Sequence, residues 1–74
     1  MDWAKLLKDL RNKLLLSQVE MADLLDVSFA SINRWENGHH EPTIKVKRQI
    51  KELCKKNKID FNGYMKEGVT NARP

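Results

Sequence analysis

What this chain lacks narrows it before any motif is read. It has one cysteine, Cys54, so no disulfide can close within it, which fits a reducing, cytoplasmic setting. No apolar run approaches the ~20 residues that span a bilayer. The charged, amphipathic start MDWAKLLKDLRNK has no signal-peptide hydrophobic stretch, so no membrane association is expected. Internal repeats, low-complexity segments and strand-period alternation are missing as well. Chemistry is equally sparse. There is no nucleophile–base constellation and no glycine loop to cradle a phosphate. His39 and His40 are adjacent, so both cannot ligate from one helical face, and no cysteine or carboxylate stands at metal spacing from them. An enzyme, a metal site and a cofactor are therefore not expected.

What is present suits one small soluble domain of 74 residues, 41% apolar and 32% charged. A core this size points to the low end of the usual ~5–15 kcal/mol of stability. The net charge of +4 permits a polyanionic partner without requiring one.

Apolar spacing predicts helices throughout. Over residues 2–14, Trp3, Leu6, Leu7, Leu10 and Leu14 form one stripe, and Leu14, Leu15 and Leu16 read as core. Asp2 sits where the helix dipole favours an anion. Ser17 and Glu20 have the spacing of a capping box, with Leu16 and Met21 as a hydrophobic staple. Ser28 can cap the next helix, with Val27 and Ile32 in the staple positions, and Asn37-Gly38 ends it. Only Asp26 and Val27 separate the two helices, which forces them to cross steeply. Met21, Ala22, Leu25, Ile32 and Trp35 fall inward, leaving Phe29, Ala30, Asn33 and Arg34 nearer the outside. Pro42-Thr43 opens a fourth helix running to about Asn57, with Val46, Ile50, Leu53 and Cys54 at helical spacing. Asp60 can cap a fifth, with Phe61, Tyr64 and Met65 as its apolar side. The domain is expected over residues 1–67, with 68–74 a disordered tail.

The combination of Arg11, SQVEMA at 17–22, Val27-Ser28, Ile32, RWENG at 34–38 and Pro42-Thr43 resembles the phage-repressor (Cro-type, xenobiotic-response-element) helix-turn-helix family over roughly residues 3–56. The resemblance implies an all-α, lambda-repressor-like bundle of about five helices. It also implies sequence-specific binding of double-stranded DNA, usually as a homodimer, by a repressor-like transcriptional regulator. In that likeness Ser28, Phe29, Ala30, Asn33 and Arg34 form the reading face. Gln18 meets a phosphate and braces the recognition helix, and Asn37 and the following loop meet phosphate again. Ser28, His39, His40, Lys45 and Arg48 complete the phosphate candidates, and Arg11 with Glu36 forms a partly buried ion pair. Three positions depart from the family pattern: Leu15 and Asp26 replace customary glycines, and Lys47 stands where an apolar residue is common.

On the reading face, Arg34 suits guanine, since its fork can donate to N7 and O6, or else a phosphate; Asn33 suits adenine. Phe29 and Ala30 can pack on a thymine methyl, although a large aromatic is more often a rim residue folded back on the first two helices. Charge is unevenly shared. Between Ser17 and Gly38, Arg34 is the lone cation against Glu20, Asp23, Asp26 and Glu36. Attraction to phosphate must come mainly from the loop and the start of the fourth helix. Dimerisation is expected through Ile59–Met65. The acidic helix pair and the apolar Phe29-Ala30 keep a second reading in view: a protein-interaction or targeting module, either an antitoxin-like partner or part of a larger protein.

Overall fold

Each helix of the computed structural model begins where a short polar side chain takes a backbone N–H. The structure describes residues 2–65, so residue 1, the end of the expected domain and the expected tail at 68–74 lie outside the described residues. The order is α1 (Trp3–Lys13), α2 (Gln18–Leu25), α3 (Phe29–Glu36), α4 (Ile44–Lys56) and α5 (Phe61–Met65), with no strand among the described residues. Asp2 caps α1 by accepting from Lys5 N at 3.0 Å. Ser17 and Glu20 close the full capping box of α2, at 3.0 and 2.8 Å. Ser28 accepts from Ser31 N, Thr43 from Val46 N, and Asp60 from the backbone N–H of Gly63.

The first four helices end alike. In each, a residue just past the last turn takes a left-handed conformation: Leu15 (φ 59°), Asp26 (φ 59°), Gly38 (φ 78°) and Lys58 (φ 57°). Two N–H groups then fold back onto the helix's last carbonyls, as Leu16 N to Arg11 O (3.0 Å) and Leu15 N to Asn12 O (3.0 Å) do for α1. The same pair recurs as Val27 N to Ala22 O, His39 N to Arg34 O and Ile59 N to Cys54 O, each with its shorter-range companion. This is the Schellman arrangement, and it normally favours glycine because a Cβ crowds the backbone there. Here only one of the four positions has glycine.

The core joins Trp3, Leu6, Leu7 and Leu10 of α1 with Met21, Ala22 and Leu25 of α2, Ile32 and Trp35 of α3, and Val46, Ile50 and Cys54 of α4. Leu14 and Leu16 pack against it, but Leu15 does not: it is 88% exposed, because the left-handed turn swings its side chain to solvent. The expectation that all three leucines are core therefore fails at the middle one. Cys54 is fully enclosed, and burial pushes its thiol up to about 11, which suits an inert core residue. Lys47 substitutes for an apolar residue by lying along Trp3, its Nζ 5.1 Å from the ring centroid, while it pairs with Glu41 at 2.7 Å. That leaves Val46 as the inward residue of the α4 start. The apolar side of α5 is spent largely within the chain. Phe61 meets Trp3 edge-on at 5.6 Å, and the Tyr64 hydroxyl donates to Asp9.

Candidate nucleic-acid interface

The middle of the fold holds a chain of polar side chains that fixes how α3 is presented. Arg11 Nε donates to Glu36 Oε2 at 2.7 Å and its Nη2 to Oε1 at 3.0 Å, a two-point pairing between α1 and the last turn of α3. Its remaining Nη1 reaches the Leu16 carbonyl at 3.1 Å and ties down the α1–α2 turn. The Glu36 side chain is 3% exposed and that of Arg11 17%, so the pair is largely dry. The carboxylate raises the guanidinium above its ordinary value. From Glu36 the chain continues. Gln18 Nε2 donates to Glu36 Oε1 at 3.1 Å, Asn33 Nδ2 donates to Gln18 Oε1 at 3.3 Å, and Asn37 Nδ2 donates to Asn33 Oδ1 at 3.1 Å. One relay therefore clamps three helices, and every carboxylate and amide in it has a partner.

The relay sorts the residues expected to meet DNA. Phe29, Ala30 and Arg34 are exposed on the outer side of α3, and Ile32, Trp35 and Glu36 are buried on the inner side. Phe29 is 49% exposed, so about half of it is open to solvent and half is covered by the fold. Asn33 is half-buried, and both its amide atoms are already engaged, so a pairing with adenine would have to displace Gln18 and Asn37. Gln18 sits at the first position of α2 with its side chain turned toward Glu36 and Asn33, a brace between helices. Ser28 caps α3 and its hydroxyl lies 3.0 Å from that of Ser31. Asn37, His39, His40, Lys45 and Arg48 lie along the α3–α4 loop and the start of α4, and all five are exposed.

The family resemblance implied the Arg11–Glu36 pair and a bracing Gln18, but not the links through Asn33 and Asn37. The signal was there: Asn33 falls one turn before Asn37, and Gln18 opens a helix whose other inward positions are apolar. Nothing in spacing alone says that a Gln on one helix meets an Asn and a Glu on another.

The relay also changes the charge balance. Glu36 is neutralised within the fold by Arg11, which leaves Glu20, Asp23 and Asp26 as the exposed acids of the helix pair beside Arg34. No helix among the described residues is long and apolar enough to cross a membrane. A family model described as helix-turn-helix matches residues 7–56, more than half of the chain and the stretch from within α1 to the end of α4. No curated protein and no solved structure matches.

Proposed function

This chain belongs to that family, the Cro-type DNA-binding helix-turn-helix, and from this premise we propose that it binds double-stranded DNA sequence-specifically as a repressor-like transcriptional regulator. In this reading α3 enters the major groove. Arg34 donates to a guanine edge, and Phe29 and Ala30 lie against thymine methyls. Asn33 acts by holding Gln18 and Asn37 in place. Gln18 and Ser28 at helix starts, with Asn37, His39, His40, Lys45 and Arg48, meet the phosphates. Two copies bind as a homodimer across a pseudo-palindrome, with half-sites about 34 Å apart, one turn of the duplex.

The observation that carries this reading is the clamped α3. Its buried side is locked by the relay through Arg11, Glu36 and Gln18, while Phe29, Ala30 and Arg34 are exposed and take no part in the relay. The test is binding to random duplex DNA across a salt series. Affinity should fall with a log–log slope near −0.9 per phosphate contacted; no binding at low salt sinks the reading. Selection from a random pool then gives the site, and Arg34→Ala should lose about 1–3 kcal/mol of discrimination at one base pair. A uniform loss over all sequences would move Arg34 to a phosphate.

One observation favours a second reading, a protein-interaction module on the same fold. The half-exposed Phe29 lies within a helix pair whose free charge is mainly acidic. The same salt series separates the two readings.

A further inference from the structure

The outer flank of α2, the outer face of α4 and the cleft between α4 and α5 make one surface, of which the DNA reading uses only Arg48. At its α2 end Leu24 is 47% exposed, with Glu20 one turn back on the same flank and Asp23 exposed beside it. Next comes an apolar groove of about 260 Å³, walled by Leu24, Leu25 and Leu53 with Gln49 and Glu52. Gln49 leaves its side-chain oxygen buried without a hydrogen-bond partner. Glu52 is also on the rim of a larger cleft of about 700 Å³, where Arg48, Lys51 and Lys55 stand over Ile59 and Phe61. Lys51 Nζ is 5.5 Å from the Phe61 ring centroid. The ion pairs among the described residues are Lys5–Asp9, Arg11–Glu36 and Lys47–Glu41, so the three cations of the cleft stand outside them and outnumber the two acids of its lining, Glu52 and Asp60.

The order along this surface is acid, apolar, base. A two-fold rotation about its middle reverses that order, so the acidic end of one copy meets the basic end of the other and the apolar middles meet each other. Other occupants fit less well. Duplex DNA offers no continuous apolar surface to cover Leu24, Ile59 and Phe61 together. Residues 66–74 contain Lys66 and Arg73 against Glu67, the wrong charge for a cationic cleft.

We propose that this surface joins two copies of the chain reciprocally, the Glu20–Asp23 flank of α2 in each lying against Lys51 and Lys55 of the other's cleft, with Leu24 in the shared apolar middle. The inference deepens the homodimer of the DNA reading by naming its surfaces, and its test reads self-association separately from DNA binding.

The test is sedimentation equilibrium of the whole chain at low salt and at about 0.5 M salt, where screening is short-ranged. A reversible monomer–dimer equilibrium is expected, weaker at high salt. The pair Lys51→Glu, Lys55→Glu should weaken it by about tenfold or more, and adding Asp23→Lys to that pair should recover most of the loss. All three positions are exposed, and recovery in the triple variant shows that the double variant folds. A monomer at every concentration overturns the proposal. So does a dimer indifferent to the two reversals, a triple variant no tighter than the double, or open-ended assembly in place of a closed pair. A monomer that still binds random duplex DNA overturns this surface and leaves the DNA reading standing. A dimer that ignores DNA does the opposite.

Discussion

Leu15 holds a left-handed backbone while its side chain stands almost fully in solvent. A Cβ in that conformation costs about 1–2 kcal/mol, and an exposed leucine recovers little of it by packing. Leu15→Gly is therefore expected to raise the unfolding free energy by about 1 kcal/mol. In a domain of this size that corresponds to a melting point higher by about 4–8 °C. Urea denaturation checks it, and an unchanged midpoint would mean that the turn is not strained. Glu36 is the opposite case, a residue with no spare freedom. Glu36→Ala strands the Arg11 guanidinium inside the clamp and should cost about 3–5 kcal/mol. Removing both partners, Arg11→Ala with Glu36→Ala, should cost less than the two single changes summed, because no charge is then left unpaired. Denaturant titration of the three variants measures the difference, and strict additivity would contradict the pairing.

At the scale of the element, α3 is an eight-residue helix with a cap at its start, a Schellman turn at its end and a polar clamp along its inner side. It carries Arg34 as its lone cation. In the proposed DNA reading, recognition and attraction therefore fall on different elements, α3 for the first and the loop with α4 for the second. Lys45→Ala is accordingly expected to weaken binding to every duplex sequence alike and to make the log–log salt slope shallower by about 0.9. Arg34→Ala should instead act at one base pair. Titrations of each variant against the selected site and against random duplex separate the two outcomes. A sequence-dependent loss in Lys45→Ala would undo this division.

Across the whole molecule, α5 closes the bundle by returning to α1. The Tyr64 hydroxyl bonds to Asp9, which also pairs with Lys5 at 3.2 Å. The bond to Tyr64, helped by Lys5, holds Asp9 below the ordinary carboxylate value of 3.8, so its contribution is present above that range and fades as pH falls through it. Tyr64 is pushed up to about 12 from an ordinary value of 10.0, first by the bond to Asp9 and then by burial. The folded state binds that proton more tightly, so the contribution is complete below pH 10.0 and disappears as pH rises toward 12. Tyr64→Phe should lower the melting point at neutral pH and narrow the gap from the parent protein at the alkaline end. Melting curves of both proteins from pH 7 to 12 provide the check, and a constant gap would refute the linkage.

The sequence by itself determined the helices and their limits. Apolar spacing and caps are local, and Ser17 with Glu20, Ser28, Thr43 and the Asn37-Gly38 end all act within one turn of chain. It also determined the two-helix unit, because a turn of Asp26 and Val27 leaves little choice of crossing. Tertiary structure alone decided what each outer residue is free to do. Asn33 and Phe29 sit on the same flank of α3 by spacing, yet one is engaged by Gln18 and Asn37 and the other is half exposed with no part in the relay. Lys47 became a core lid because Trp3 and Glu41 lie near it. Periodicity tells which way a side chain points along its own helix. What waits for it there depends on how distant elements pack, and that is a property of the assembled fold.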